Sequence, residues 1–517
     1  MRLLSLAFAA MISFPAWSAN SINFSWSVNA GPLNPHQTNP NQMYAQAMVY
    51  EPLVRYARGG KVTPWLAEKW QISADGKQYT FFLREDVRFS NGEQFDAAAV
   101  KANFDQVLAN IKKHSWLGLI KQLDRIEVVD QFVVRLHMKN AYYPTLQELT
   151  LVRPVRFMAP SAMPDEGHTG NGIKQPVGTG PWMRQESVLG QKDVFVRNPY
   201  YWGEKPAFEQ VNVPVIPDPN ARALAFESGT INLIYGFEGQ ISPDTFNRFR
   251  HDPRFSTDLS EPLSTRVLAM NTNQSPTREL AVRQAINHAV NREAIAQGIF
   301  YGTEEAAPSL FARNVPYADL DLPAYDYSLQ KAAELLESAG WKVLKGDQYR
   351  QKNGQALNVE LVYYGHDANQ KAIAEVIQAN LKQVGINIAL AAEERSRFYK
   401  RQKNGEFDII FNNTWGAPYD PHAFVSGMRT PSHADYEAQL GLKQKSDIDH
   451  WITQVLKSQD DSERQTLYSS ILTTLHEQAV YLPVTYLRVP GVAKKELGPL
   501  KMGATVFDIP FESFKPE

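Results

Sequence analysis

Residues 357–390, LNVELVYYGHDANQKAIAEVIQANLKQVGINIAL, carry the pattern that decides the fold of this chain. Apolar and polar residues alternate over 357–363 and again over 386–390, as in half-buried strands. Between these runs, apolar residues recur at helical spacing and stop before Gly385, at Ile373, Val376, Ile377 and Leu381. A strand, a helix and a second strand form a βαβ unit, which favours parallel pairing. The sequence therefore predicts a mixed α/β fold whose sheet contains parallel strands.

A second helix is predicted after Asp96, whose carboxylate can cap a helix N-terminus. Apolar residues follow at helical spacing at Val100, Phe104, Leu108 and Ile111. The polar run 112–114 comes next, so Lys113 and Trp116 are expected at the helix end. Periodic apolar stripes pack into cores far more often than they bind ligands. These apolar stripes therefore support the predicted fold, but they do not indicate a ligand-binding or catalytic site.

The first residues are typical of a secretory signal peptide. Arg2 precedes the apolar run 3–14, and small residues follow at Ala16, Ser18 and Ala19. The run is shorter than the roughly 20 apolar residues that a membrane-spanning helix needs. We predict a cleaved signal peptide over residues 1–19 and a periplasmic location.

The composition excludes several classes of protein. The 517 residues include no cysteine, which excludes disulfides, thiolate metal sites, a cysteine nucleophile and a lipidated cysteine anchor. With 53 basic and 55 acidic residues, the net charge of −2 gives no long-range attraction to nucleic acid or anionic lipid. A charged ligand must therefore be recognised locally.

A loop-forming segment, residues 415–435, places His433 near Trp415 and Tyr419 among turn formers. Imidazole is the commonest protein ligand for late first-row metals, but no second ligand or HExxH pattern accompanies it. Since one ligand cannot hold a metal, these residues alone leave open whether His433 binds a metal or is merely structural. The same holds for Trp415, which as an isolated tryptophan is more often part of a core.

Several blocks of this sequence, in this order along the chain, resemble the peptide/nickel family of periplasmic solute-binding proteins. The blocks are VYEPLV at 49–54, PWLAEKW at 64–70, GTGPW at 178–182, NPYYWG at 198–203 and AVRQAIN at 281–287. The resemblance implies two α/β lobes joined by crossing strands near 266–271 and 481–486, with the ligand between the lobes. The implied limits are lobe I at 20–265 with an extra subdomain at about 58–175, lobe II at 266–482 and a C-terminal return to lobe I at 483–517. Such proteins close around a ligand by hinge motion and hand it to a membrane permease of an ABC importer.

Further segments, 29–36, 40–43, 142–156 and 415–435, resemble the nickel receptors within this family. The resemblance implies that nickel is captured as a complex with a small organic chelator, while one histidine completes the metal's coordination shell. On matching positions, His433 is the metal ligand and Arg153 clamps the chelator. The implied walls of the pocket are Met43, Trp116, Tyr399, Trp415 and Tyr419. Arg153 could instead form an ordinary surface ion pair, which the sequence leaves open.

Some positions depart from the nickel-receptor pattern. Lys113 is the expected chelator contact at the position of a second chelator-facing arginine, but it cannot offer a planar fork to a carboxylate. Asn412 and Asn413 replace a more basic neighbourhood, and Phe507 replaces a small hydroxyl residue. These changes predict a less cationic pocket, which suits a histidine-like chelator, although a polycarboxylate stays open.

Other functions are less well supported. Peptide receptors of this fold place an aspartate where this chain has Pro418, which cannot pair with a peptide's amino group. A haem receptor on the same scaffold is a further alternative. No Gly-x-Ser-x-Gly elbow, two-histidine zinc motif or P-loop is present, so we expect neither an enzyme nor an ATPase. We expect a monomer that works with permease subunits, and the sequence leaves open whether it also reports to a chemoreceptor.

Overall fold

The computed structural model describes residues 20–37, 41–237 and 240–516. The predicted signal peptide lies outside these described residues. Within them, no helix combines the length and the apolar character that a membrane crossing requires.

The strand–helix–strand unit predicted over residues 357–390 is confirmed. Strands Asn358–Tyr364 and Asn387–Glu393 run parallel and pair in register along their whole length. Helix Ala368–Lys382 connects them and packs on both strands. It begins after Asp367, whose carboxylate accepts hydrogen bonds from two backbone N–H groups of the first turn. These groups have no partner inside the helix, so the cap stabilises its start.

This unit belongs to a sheet of six described strands in which parallel and antiparallel pairs are mixed. Strand Ile409–Phe411 pairs parallel with Asn358–Tyr364 and antiparallel with Ser264–Met270. In order across the sheet, the strands are Glu305–Ala306, Tyr481–Leu487, Ser264–Met270, Ile409–Phe411, Asn358–Tyr364 and Asn387–Glu393. The local pattern predicted only the parallel part.

Two strands of this sheet lie where the chain is expected to cross between the lobes. Ser264–Met270 and Tyr481–Leu487 pair antiparallel, and every residue in both is buried. Arg266 forms a buried ion pair with Glu304 at 2.9 Å, and Glu304 also accepts a hydrogen bond from Thr485. Glu304 therefore links its own segment to both crossing strands. The exact limits of the lobes and of the extra subdomain stay a prediction.

The other strands form smaller sheets. One antiparallel sheet lies inside the range predicted for the extra subdomain and has the order Ala67–Ile72, Gln78–Leu83, Val133–Met138 and Leu123–Asp130. A second sheet contains a parallel pair as well as antiparallel pairs and has the order Ser21–Asn23, Gln210–Pro214, Lys192–Arg197 and Trp182–Val188. A third has the order Leu233–Tyr235, Pro490–Lys494 and Phe255–Leu259, so residues near the C-terminus pair with an earlier part of the chain. The smallest sheets are Val54–Ala57 with Lys61–Pro64, and Lys342–Val343 with Arg350–Lys352 and Gln355–Ala356.

The helices cover these sheets and contribute to one main cluster of buried apolar side chains. The α-helices are Met43–Val49, Ala97–Ala109, Ile111–His114, Gly118–Gln122, Thr145–Leu149, Pro219–Glu227, Pro243–Arg250, Leu280–Ala289, Arg292–Gly298, Leu329–Ser338, Ala368–Lys382, Arg395–Asn404, His422–Gly427, Ala434–Gln439, Lys445–Val455 and Asp461–Glu477. Short 3₁₀ turns lie at Arg58–Gly60, Pro160–Ala162, Thr169–Asn171, Lys495–Leu497 and Phe511–Ser513.

The helix predicted after Asp96 spans Ala97–Ala109, and the Asp96 carboxylate caps it with a hydrogen bond of 2.8 Å. The prediction is wrong at the far end. Asn110 leaves the helical conformation, so Ile111 starts a separate short helix and is 40% exposed instead of extending the buried stripe. Trp116 follows this short helix, at a helix end as predicted.

Candidate functional site

A cavity of about 470 Å³ lies between two parts of the chain that are far apart in sequence. Residues 115–148 line one side and residues 415–457 line the other, so by the predicted limits the cavity lies between the lobes. Its volume suits a small organic ligand. The side chains that line it include Trp116, Tyr142, Glu148, Trp415, Tyr419, Arg429 and His433.

The loop that carries Trp415 and Tyr419 is held by Asp420. The two carboxylate oxygens of Asp420 accept hydrogen bonds from the backbone N–H groups of Trp415 at 3.2 Å and Gly416 at 3.0 Å. Asp420 is 3% exposed, and burial raises its pKa to about 7, although these hydrogen bonds favour the ionised form. Gly416 has φ +80°, and a Cβ there would also lie 3.2 Å from the Leu263 carbonyl oxygen. The turn therefore depends on this glycine and this carboxylate.

His433 is a half-buried residue of the cavity wall at the start of helix Ala434–Gln439. Its ring centre lies 5.6 Å from that of Trp415, with the ring planes inclined at 54°. A Cβ on Gly427 would lie 3.2 Å from the Trp415 ring and 3.7 Å from the His433 ring, so glycine permits this close packing. Within the described residues, no group of three or more His, Cys, Asp or Glu side chains could hold a metal ion. His433 can therefore offer one ligand to a metal.

Arg153 does not line the cavity itself, but it interacts with two aromatic residues that do. Its guanidinium carbon lies 5.3 Å from the centre of the Trp116 ring, which is a cation–π contact. Burial raises the pKa of Tyr419, and the positive charge of Arg153 opposes that shift. The Arg153 Nε is buried and has no acceptor in the described part of the chain.

Besides Arg153, three further predicted contact residues do not line the cavity. Tyr399 is 55% exposed, because it is its neighbour Phe398 that lies on the buried face of their helix. Met43 is half-buried at the start of the first described helix, and Lys113 is exposed three residues before Trp116. None of the three lines the cavity. Their contact with a ligand stays a prediction.

Arg429 is a residue of the cavity wall that the sequence interpretation missed. Its guanidinium donates hydrogen bonds to the hydroxyl oxygens of Thr453 at 2.8 Å and Ser426 at 3.2 Å. The Nε is buried and has no acceptor in the described residues. Burial lowers the pKa of Arg429, and the negative charge of Asp449 opposes this effect. The available signal was its place in the turn-rich segment, four positions before His433.

Glu148 is the second missed residue of the wall, and it is 3% exposed. Its Oε1 accepts a hydrogen bond from the Tyr142 hydroxyl at 2.6 Å, and its Oε2 accepts one from the Leu119 backbone N–H at 2.5 Å. The buried His422 ring places its Nε2 3.5 Å from Oε1. Both carboxylate oxygens are therefore engaged by the protein. No sequence pattern marks such a residue.

Comparison with known proteins identifies the family. The family described as bacterial extracellular solute-binding proteins, family 5 Middle, matches residues 61–436. The chain belongs to this family. The predicted family and the predicted two-lobe α/β fold with an enlarged first lobe are confirmed.

This family 5 protein has relatives of different specificity. It is 51% identical over 518 residues to the nickel-binding periplasmic protein of Escherichia coli (strain K12), covering 100% of this chain and 99% of that protein. The crystal structure of NikA from Brucella suis in complex with Fe(III)-EDTA matches with a TM-score of 0.93 and 57% identity, covering 96% and 100% of the two chains. The dipeptide-binding protein of Escherichia coli (strain K12) is 24% identical over 523 residues, covering 96% and 95%.

In this solute-binding protein, the substitutions expected to make the pocket less cationic lie outside the described cavity wall. Asn412 donates a hydrogen bond to the buried Asp435 carboxylate at 2.8 Å, and Asn413 follows it in the chain. Phe507 lines a separate cavity of about 60 Å³ that also touches Tyr419. These three positions therefore do not remove positive charge from the larger cavity.

Proposed function

We propose that this protein captures nickel in the periplasm as a complex with a small organic chelator and delivers it to the membrane permease of an ABC importer. The observation that carries the proposal is a cavity whose wall combines the His433 imidazole, several aromatic rings and the Arg429 guanidinium, with the Arg153 guanidinium packed against the Trp116 ring of that wall. Relatives that share more than half of their residues with this chain include a nickel-binding periplasmic protein and a protein solved with a metal chelate. Both support a metal chelate as ligand.

His433 is the proposed metal ligand. Neutral imidazole binds late divalent metals well, and a single protein ligand leaves the other coordination positions to the chelator. Affinity order alone favours copper over nickel, so selectivity has to come from geometry and availability. A preformed chelate supplies that geometry before it reaches the protein.

Arg153 is the proposed clamp on the chelator. A guanidinium matches a carboxylate through two parallel hydrogen bonds, and such charge-assisted bonds are strongest where water is excluded. Its stacking on Trp116 holds the group in place. Trp415 and Tyr419 on the opposite side add rigid contact area, and their loop is fixed by Asp420.

A peptide is a poorer fit than a metal chelate. Pro418, at the position where peptide receptors are expected to carry an aspartate, offers no carboxylate to an amino terminus. Glu148 is a carboxylate of the described wall, but both of its oxygens already accept hydrogen bonds. No specific observation favours a haem ligand.

The relatives are solute-binding proteins, and we propose that this chain is likewise a carrier without catalytic activity. It would act as a monomer in the periplasm after loss of residues 1–19. Because the sequence has no P-loop, the energy for import would come from a separate ATPase that drives the permease.

The proposal is tested by titrating the purified mature protein with nickel in the presence of citrate or L-histidine, using calorimetry with metal analysis of the complex. The wild type should bind at least one of these complexes. His433→Ala should lose at least about tenfold in affinity, since even residues that only support metal ligands typically contribute that much. His366→Ala is the matched control, because that ring is exposed and bonds only Glu394 among described residues. Unchanged nickel binding in His433→Ala would refute the assignment of the metal ligand.

A further inference from the structure

His433 has a side chain that its own helix does not hold in place. The residue precedes helix Ala434–Gln439 as its N-cap, but its imidazole accepts no hydrogen bond from the described N–H groups of the first turn. The direction of the ring is therefore set by the backbone of this short helix and by contact with Trp415, whose ring centre is 5.6 Å away. A group that binds a metal has to be held within about 0.5 Å of its working position. Whatever fixes this helix therefore also fixes the proposed metal ligand.

Asp435 fastens the start of this helix to the six-stranded sheet. Its carboxylate is 2% exposed, and one oxygen, Oδ1, accepts two hydrogen bonds. One comes from the Tyr481 hydroxyl at 2.7 Å and the other from the Asn412 side-chain amide at 2.8 Å. Tyr481 is the first residue of crossing strand Tyr481–Leu487, and Asn412 directly follows strand Ile409–Phe411. Residues of two strands of the sheet, or next to them, therefore hold the first turn.

The last turn of the helix is held as well. The buried Gln439 donates a hydrogen bond from its Nε2 to the Tyr481 hydroxyl at 3.2 Å. The Ala438 carbonyl oxygen accepts hydrogen bonds from the Thr272 backbone N–H at 2.9 Å and from the Thr272 hydroxyl at 2.6 Å. Thr272 lies two residues after the other crossing strand, Ser264–Met270. The helix is therefore bonded to both crossing segments, and the Tyr481 hydroxyl alone bonds residues at both of its ends.

A second set of contacts leads from Tyr481 to the imidazole through aromatic rings. The ring centres of Tyr481 and Phe424 lie 6.4 Å apart, and Phe424 packs edge-on against Trp415 at 6.0 Å. Trp415 is in turn the ring that contacts His433. Phe424 is fully buried, and close packing in the interior leaves such a ring little room to move. Tyr481 therefore acts on His433 both through the helix and through this row of rings.

We propose that Tyr481 and Asp435 are positioning residues that hold the His433 imidazole at the metal and connect it to the crossing strands. This inference rests on the proposed function. In the described structure neither side chain lines the cavity, so neither is placed to contact the ligand directly. Hinge closure is absorbed by a few residues at the ends of elements, and Tyr481 is such a residue. Movement of this strand end moves His433 with it, and metal coordination is thereby coupled to lobe closure.

The test measures nickel binding by calorimetry on the full mature protein, with citrate or L-histidine present, whichever complex the wild type binds more tightly. Tyr481→Phe keeps the ring and removes only the hydroxyl, so the affinity should fall about three- to tenfold, the scale of one buried hydrogen bond. Asp435→Ala should cause at least as large a loss. Asp435→Asn should keep most of the affinity, because one amide oxygen can accept the two bonds that Oδ1 accepts.

Tyr486→Phe is the matched control. Tyr486 lies in the same crossing strand and is 7% exposed, and its hydroxyl forms a hydrogen bond of 2.8 Å with the Ser309 hydroxyl. Both tyrosine variants should lower the melting temperature, because each loses a hydroxyl that forms hydrogen bonds in the interior, but only Tyr481→Phe should lower the nickel affinity. A double-mutant cycle shows whether the effect passes through the imidazole. In the His433→Ala background, Tyr481→Phe should change the affinity by less than about twofold.

The outcomes separate this inference from the proposed function. A wild type that bound neither nickel complex would overturn the proposed function and this inference together, and so would a His433→Ala variant that bound as tightly as the wild type. If His433→Ala lost affinity while Tyr481→Phe did not, only the positioning role would be overturned. A loss in Tyr481→Phe that was equally large without the imidazole, or that Tyr486→Phe matched, would assign the Tyr481 hydroxyl to general stability and would also overturn the inference.

Discussion

Replacing Asp420 by asparagine should change both the pH dependence of stability and the shape of the cavity wall. The carboxylate accepts hydrogen bonds from the backbone N–H groups of Trp415 and Gly416, which position the aromatic side chains of the loop. An asparagine has one carbonyl oxygen and one NH₂ group in their place, so one of these N–H donors loses its acceptor. A buried donor without a partner costs about 1–3 kcal/mol.

The pH effect follows from the buried carboxyl group. Burial raises the pKa of Asp420 from 3.8 to about 7. Between these pH values the folded chain keeps a proton that the unfolded chain has released, so the free energy of unfolding falls as the pH rises. A difference of about three pKa units corresponds to about 4 kcal/mol. This contribution is fully present below about pH 4 and is lost above about pH 7.

Urea denaturation of the wild type and Asp420→Asn at pH 5 and pH 8 measures this effect, because other titrating groups contribute equally to both proteins. The wild type should lose about 3 kcal/mol relative to the variant over this interval. The difference in free energy of unfolding between the two proteins could instead stay constant, or change in favour of the wild type, between pH 5 and pH 8. Either result would show that burial does not raise the pKa of this carboxyl group. The variant should also bind the nickel complex more weakly at both pH values.

Two further predictions concern other buried or stacked groups. Burial lowers the pKa of His36 from 6.5 to about 4, and its neutral ring bonds Thr169 at 2.8 Å and Asn103 at 3.0 Å. The free energy of unfolding should therefore fall by up to about 3 kcal/mol as the pH drops from about 6.5 to 4, and thermal melting of His36→Gln at pH 7 and pH 4.5 should lack this component. Trp116→Leu removes the ring on which Arg153 stacks, so calorimetry should show a roughly 3- to 30-fold loss of chelate affinity. The melting temperature should change little, since Trp116 is 41% exposed.

Elements of the fold that lie within one stretch of sequence could be predicted from the pattern of that stretch alone. The βαβ unit was predictable because its strands and helix each have their own periodicity and are adjacent in sequence. The antiparallel pairing of Ser264–Met270 with Tyr481–Leu487 was not, because nothing in either segment specifies a partner so distant in the chain. Only the resemblance placed those segments together. The break at Asn110 shows the same limit on a smaller scale, since Ile111 kept the helical spacing but not the helix.

The residues of the candidate site also differ in whether the sequence alone could predict them. Trp415, Tyr419 and His433 were predictable as a group because one turn-rich segment carries them. Tyr399 was assigned by resemblance, and its exposure depends on how its helix packs, which one sequence does not show. Arg429 lies in the same turn-rich segment, but the pattern alone does not show that its side chain lines the cavity. Whether a guanidinium is buried with or without an acceptor is decided by tertiary contacts and not by its neighbours in sequence.

The arrangement of charges explains why the cavity should recognise the chelate as a unit. A bare nickel ion would add positive charge beside Arg429 and Arg153 and would find one ligand, His433, so repulsion and an incomplete shell both oppose its binding. A metal-free chelator would satisfy the guanidinium groups but would lack the bond to the imidazole. Under the proposed function, the complex would remove both deficits, because its anions would neutralise the positive charge while its metal would join the chelator to His433. Metal and chelator would then favour each other's binding, and a protein that offers a single metal ligand would still be selective for the metal that its chelator carries.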